Sequence, residues 1–173
     1  TEGGGFTLDG ANAASAQLTI VSVSSSAAAT ISMGSGSGAV QISGIAAQGA
    51  VTLDASTYGG TIDITQISAS GASIVVGPRG DFSASLVDSA QNFVFDGSNA
   101  TSAEVTFTNV SVSGTIVVSL GSGTGALSST DFNSTKSVTL DASKFAGTLD
   151  ITNVSGSGVS VSLGTIGNFS ASA

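Results

Sequence analysis

The chain has no cysteine, no histidine and no tryptophan, and only one proline, one methionine and one tyrosine. Without His and Cys it lacks the commonest general base, the commonest thiol nucleophile and the usual zinc ligands. Carboxylates and hydroxyls are the reactive groups that remain, and we expect no enzyme. Positive charge is nearly absent too: Arg79, Lys136 and Lys144 stand against 11 acidic residues, for a net charge of −8. A nucleic-acid surface needs clustered Lys and Arg to displace phosphate counterions, so nucleic acid is excluded as a partner. The same scarcity argues against binding to anionic membranes. Mean hydropathy is positive (+0.44), yet no run approaches the roughly 18 apolar residues of a membrane-spanning helix. A membrane barrel would need longer strands and aromatic girdles, so no membrane insertion is expected. An acidic chain that needs no disulfide suits a secreted bacterial surface protein, although missing cysteine alone does not exclude the cytoplasm. With no Met at its start and no recognisable signal peptide, the chain reads as a processed or excised piece of something longer.

Small polar residues are abundant: Ser and Thr total 52 of 173 residues, with 24 Gly beside them. They are arranged in repeats. Val51-Thr-Leu-Asp-Ala-Ser56 returns as Val138-Thr-Leu-Asp-Ala-Ser143, and Phe6-Thr-Leu-Asp-Gly10 and Phe93-Val-Phe-Asp-Gly97 are weaker copies. The four aspartates, Asp9, Asp54, Asp96 and Asp141, lie 45, 42 and 45 residues apart. Copies one and three match best, as do two and four. The units are therefore approximately 6–50, 51–92, 93–137 and 138–173, grouped into an 87-residue double repeat (6–92 and 93–173). A period in this range marks a stacked or arrayed architecture.

Within the second unit, Val51-Thr-Leu-Asp54 and Thr61-Ile-Asp-Ile-Thr-Gln-Ile67 alternate apolar and polar residues, and Ser73-Ile-Val-Val76 and Phe82-Ser-Ala-Ser-Leu86 are further short runs. Period-two alternation between Gly and Ser clusters is a strand signature. Ile62, Ile64 and Ile67 correspond to Leu149, Ile151 and Val154, to Val105, Phe107 and Val110, and to Leu18, Ile20 and Val23. These swaps among apolar residues identify inward positions that pack on their equivalents above and below. Each unit thus holds four strands of about five residues, and no helix is expected because no segment has a 3.6-residue period rich in helix formers.

The expected fold is all-β, a β-solenoid of about eight short two-strand coils, each of about 20–22 residues. Its alternative is two tandem β-sandwich domains. Short strands, small turns, missing Trp and small core residues favour the solenoid, whose narrow interior they fit.

Val51-Thr-Leu-Asp-Ala-Ser-Thr-Tyr-Gly-Gly-Thr-Ile-Asp-Ile-Thr65 and Val138-Thr-Leu-Asp-Ala-Ser-Lys-Phe-Ala-Gly-Thr-Leu-Asp-Ile-Thr152 resemble spacer repeats of large secreted bacterial proteins of the repeats-in-toxin class, which include surface-layer proteins and giant adhesins. The resemblance covers nearly the whole chain. It implies a β-solenoid, a secreted setting and export through a type I system. The family's calcium-binding nonapeptide is not intact: Gly34-Ser-Gly-Ser-Gly38 and Gly121-Ser-Gly-Thr-Gly125 keep glycines, but Ala39 and Ala126 stand where the aspartate ligand belongs. The resemblance therefore carries no calcium in these turns.

The candidate calcium ligands are the recurring Asp9, Asp54, Asp96 and Asp141. Aligned like charges along a sheet edge are costly unless a cation or water intervenes, and calcium prefers several oxygens. The competing reading is structural, an aspartate that accepts backbone N–H groups two residues on. Asp63 and Asp150 recur in the second strand; paired carboxylates can hydrolyse glycosides, but recurrence in each double unit marks them as solvated surface acids. Five of seven asparagines, Asn99, Asn109, Asn133, Asn153 and Asn168, lie in Asn-x-Ser/Thr and are candidate glycosylation sites. Outward Thr and Ser also suggest ice binding, but the Thr-x-Thr array is interrupted. For a carbohydrate-binding surface, Tyr58 and Phe145, at equivalent turns, and Phe132 are the aromatics expected to be exposed.

These readings converge on a secreted, cell-surface structural module of a surface layer or filament, joined end to end or side to side with copies of itself or further repeats of the same polypeptide. The alternative is an adhesin stalk or carbohydrate-binding repeat with a cell-surface glycan as partner.

Overall fold

The structure, a computed structural model, describes residues 4–10, 17–79, 81–102, 104–164 and 168–171, the last stretch by its backbone and the Phe169 side chain. All regular structure among these residues is β. One sheet contains β1 (Phe6–Gly10), β4 (Ala29–Met33), β7 (Ala50–Ala55), β9 (Gly71–Val76), β11 (Phe93–Gly97), β13 (Ile116–Leu120), β15 (Ser137–Ala142) and β17 (Gly158–Leu163), hydrogen-bonded in that order. The other contains β2 (Leu18–Ile20), β3 (Val23–Ser25), β5 (Ala39–Ile42), β6 (Ile45–Ala47), β8 (Thr61–Ala69), β10 (Phe82–Ser89), β12 (Glu104–Val112), β14 (Ala126–Ser134), β16 (Thr148–Ser155) and β18 (Asn168–Ala171). Every pairing is parallel, and each strand bonds to its counterpart one coil away. The chain is therefore a parallel β-solenoid of about seven turns. A sandwich of the immunoglobulin kind, whose sheets are antiparallel, is excluded.

First-sheet strands begin at residues 6, 29, 50, 71, 93, 116, 137 and 158, so each coil takes 21–23 residues, slightly more than the 20–22 expected. Strand positions repeat after four coils: β1 and β11, β7 and β15, and β9 and β17 each start 87 residues apart.

The second sheet departs from the expected five-residue strands. β8, β12 and β14 have nine residues, and β10 and β16 have eight. The strict alternation breaks once in each, at Thr65-Gln66, Ser85-Leu86, Thr108-Asn109, Thr130-Asp131 and Thr152-Asn153, where two successive residues avoid the interior. Two outward residues in a row mean that the strand turns a corner while its inner side keeps facing the core. In the first two coils the same corner divides the strand outright, giving β2 and β3, then β5 and β6. The cross-section is thus three-sided.

The inward residues form unbroken columns. Leu8, Ile31, Leu53, Ile74, Phe95, Val118 and Leu140 follow one another in register along the first sheet. The core residues are not all small: Phe107 lies inward as its register position implies, and four further rings gather around it in the central coils. Phe107 lies within 5.3–5.9 Å, ring centre to ring centre, of Phe82, Phe93, Phe95 and Phe132, edge-on to Phe93 and Phe95. Small residues make room for two of these rings in the columns: Ala72 stands beside Phe93, and Ala84 and Ser129 flank Phe107.

Glycine serves close approach in this fold, since none of the described glycines has positive φ. Gly60 and its equivalent Gly147 sit so tightly on the coil below that a Cβ would collide with the carbonyl oxygens of Gly38 and Gly125. Both lie just before a second-sheet strand, where the chain presses inward after the turn.

Candidate functional site

The four recurring aspartates occupy one outward column on the first sheet, but they are not adjacent. In register, the column runs Asp9, Ser32, Asp54, Val75, Asp96, Ser119, Asp141, Ser162. Each sequence unit is two coils, so a Ser or Val separates every pair of carboxylates. Neighbouring aspartates are then roughly 9.6 Å apart, at ~4.8 Å per rung. The four copies thus share one edge column, with a neutral residue between successive carboxylates.

The side chains of three of them close turns. Asp54 accepts the backbone N–H of Ser56 at 3.0 Å, Asp96 that of Ser98 at 2.9 Å and Asp141 that of Ser143 at 3.0 Å. Hydrogen bonds from Ser56, first from its side chain and then from its backbone, hold the Asp54 carboxyl below its ordinary range. Ser143 does the same for Asp141, with a smaller contribution from nearby Lys144. Calcium takes six to eight oxygens at one point, whereas this column offers one carboxylate every second rung. Among the described residues no group of three or more acidic side chains converges as a metal site would require.

Asp63 and Asp150 are exposed on the second sheet, and Asp63 accepts the Ser83 hydroxyl at 2.7 Å. The column joining them passes through Ser83, Thr106 and Ser128. They are four rungs apart, roughly 19 Å, about twice the widest separation used by glycosidase carboxylate pairs.

The aromatic residues expected on the surface are inside. Tyr58 and Phe132 are 1 % exposed and Phe145 is 7 % exposed. The Tyr58 hydroxyl donates to the Gly38 carbonyl at 2.7 Å, and burial raises the pKa of its phenol. The turn carrying Tyr58 and Phe145 folds the ring under the strand instead of presenting it to solvent. Apolar period-two patterning gave no sign of this, because the ring belongs to a turn. Its repeated placement before Gly60 and Gly147 was the available signal: a glycine that must be small has something packed beside it.

The five sequon asparagines are placed differently. Asn99 is exposed in the turn after β11. Asn109, Asn133 and Asn153 lie on second-sheet strands. Asn133 accepts the Ser155 hydroxyl at 2.8 Å, and Asn153 donates to Asp131 at 2.7 Å. Asn109 is half-buried with its Oδ1 unpartnered. Asn168 starts β18, and its side chain lies outside the described residues. Among the four whose side chains are described, Asn99 is the one on an exposed turn.

A column of hydroxyls does run along the first sheet: Thr7, Thr30, Thr52, Ser73, Val94, Val117, Thr139, Ser160. Val94 and Val117 interrupt it, and aspartates alternate through the column beside it.

Two features escaped the sequence reading. The first is a serine corner. Ser25, Ser89 and Ser134 point inward where the second sheet hands over to the first, and each accepts the N–H two residues on and donates to the carbonyl three residues on. The second is the identity of the apolar residues that line the outermost coils. Val159, Val161 and Leu163 continue the inward columns of Val138, Leu140 and Ala142, yet are 50, 37 and 45 % exposed. Phe169 is 43 % exposed, and at the opposite end Phe6, Leu8, Leu18 and Ile20 are only half-buried.

The fold and these surfaces define the class: an acidic, repetitive parallel β-solenoid with hydroxyl-rich faces and apolar outer coils. No family model, no curated protein and no solved structure matches the chain.

Proposed function

We propose that the chain is a structural module of an extracellular surface assembly, a surface layer or filament, that joins end to end with like modules, either copies of itself or further repeats of the same polypeptide. The observation that carries this reading is that the inward columns run through the first and last described coils with their outer sides uncovered within this chain: Val159, Val161, Leu163 and Phe169 are exposed at one and Phe6, Leu8, Leu18 and Ile20 half-buried at the other, open to a like module or to further repeats of the same polypeptide. Unpaired sheet edges are templates for further pairing, and β1 and β17 are the outer strands of the first sheet. The role is mechanical. Backbone hydrogen bonds run along the long axis, inward columns hold the coils together, and Ser, Thr and Asp keep the sides wet. Scattered carboxylates and the missing His and Cys support a non-enzymatic role.

The alternative, a glycan-binding adhesin repeat, is disfavoured by the burial of Tyr58, Phe132 and Phe145, which leaves these rings unavailable for stacking on sugars. Sedimentation over a hundredfold range of concentration, with negative-stain imaging of the same samples, tests the assembly. End-on growth is expected, and a monomer at every concentration would overturn it. Protease treatment of intact source cells tests the location: the chain should be shaved from the surface, and complete protection would remove the extracellular reading.

A further inference from the structure

The 87-residue period specifies how two copies would meet. β17 is the period equivalent of β9, and β1 is the equivalent of β11. Inside the chain, β11 already sits on β9, with Phe93 on Ala72, Val94 on Ser73, Phe95 on Ile74 and Asp96 on Val75. Shifting each pair by one period places Phe6 on Val159, Thr7 on Ser160, Leu8 on Val161 and Asp9 on Ser162. The second sheet agrees. β12 sits on β10 with Val105 on Phe82 and Phe107 on Ala84, which places Leu18 on Phe169 and Ile20 on Ala171.

We propose that the coil carrying β17 and β18 binds the coil carrying β1 and β2 of a second copy, head to tail, in the register of the internal β9–β11 junction. The proposal rests on the reading of the chain as a self-joining module and fixes the contact that joining uses. Three arguments support a second copy as the occupant. Val159, Val161 and Phe169 are exposed and Phe6, Leu8, Leu18 and Ile20 half-buried within this chain, and these are the apolar side chains the junction would bring together. Their sizes compensate: Val159 replaces Ala72 beneath a phenylalanine, while the smaller Leu8 replaces Phe95 above a β-branched residue. The charges are compatible, since Asp9 would meet Ser162 and Thr7 would meet Ser160, with no acid facing an acid. The two surfaces differ, so the contact is heterologous and does not close on itself. Repetition makes a fibre that continues the solenoid.

Cysteine pairing tests the register, because the chain contains no cysteine of its own. Thr7 and Ser160 are both exposed and lie on opposite outer strands of the first sheet, so Thr7→Cys with Ser160→Cys can bond only between molecules. Adjacent parallel rungs put their Cα atoms within the range a disulfide spans. Under mild oxidation the double variant should give a ladder of covalent multimers that lengthens with concentration. The mismatched pair, Thr7→Cys with Ser162→Cys, is offset by two residues, roughly 7 Å, and should crosslink at least about tenfold more slowly. Val161→Glu, at an already exposed position, should abolish concentration-dependent growth while leaving the β-sheet circular dichroism intact. Equal ladders from the matched and mismatched pairs would overturn this register and leave self-joining standing, as would rapid dimerisation of Ser160→Cys alone, which signals tail-to-tail contact. A cysteine-free chain that stays monomeric throughout would overturn both.

Discussion

Phe107 and Ser129 are register partners on neighbouring rungs, and the serine's buried hydroxyl has no hydrogen-bond partner. The column that holds them runs Ile64, Ala84, Phe107, Ser129, Ile151. Small residues flank the ring on both sides, which is how a narrow interior admits it. Ser129 is 1 % exposed, so its hydroxyl forfeits water without gaining a partner. Ser129→Ala should therefore raise stability by about 1 kcal/mol, read as a shift of the urea midpoint. Phe107→Ala should cost about 3–5 kcal/mol, because it empties the centre of a five-ring cluster.

The aspartate turns give the fold an acid sensitivity. The Asp54 and Asp141 carboxyls are held below the ordinary value of 3.8 by hydrogen bonds from Ser56 and Ser143. A depressed folded-state pKa stabilises the native state above the unfolded value, and that contribution is lost as pH falls through the lowered folded values. Asp54→Asn with Asp141→Asn keeps the acceptor oxygen but removes the titration. Urea midpoints measured from pH 6 down to pH 2 should fall less steeply for this double variant than for the parent chain.

The serine corners should be individually measurable. Ser89 is 1 % exposed, and its hydroxyl links the Gln91 N–H to the Asn92 carbonyl at 3.4 and 3.3 Å. Ser89→Ala leaves both backbone groups without that partner and should cost about 1 kcal/mol. Amide exchange at Gln91 should accelerate with it, while exchange in β15 stays unchanged, because coils of a solenoid interact only with their neighbours.

Gly147 tests close approach. An added Cβ would press on the Gly125 carbonyl and on the Phe145 ring. Since no described glycine needs positive φ, Gly147→Ala should be destabilising through overpacking alone, by about 1–3 kcal/mol. Gly158, whose Cβ would meet nothing within 4 Å, should accept Ala with little change in thermal midpoint.

Much of the fold was legible because strand faces are a local property. Val51-Thr-Leu-Asp alternates, and the structure buries Val51 and Leu53 while exposing Thr52 and Asp54. The aspartate turn was legible for the same reason, since Asp54 and Ser56 are two residues apart. The corner at Thr65-Gln66 was not, because an alternation that slips by one residue looks in sequence like a strand that ends.

The sequence by itself determined the 87-residue period, the inward and outward sides of most strands, the all-β character of the described residues and the hydroxyl-rich exterior. These follow from residue order within a few positions and from self-similarity. Tertiary structure alone decided what lies beside what. It placed a Ser or Val between successive aspartates, turned Tyr58 and Phe145 inward, gathered Phe82, Phe93, Phe95, Phe107 and Phe132 into one cluster, and set Ser25, Ser89 and Ser134 at the inward corners. The reason is coil length. A residue's neighbour across the sheet lies 21–23 positions away, and only closing the coil fixes which residue that is.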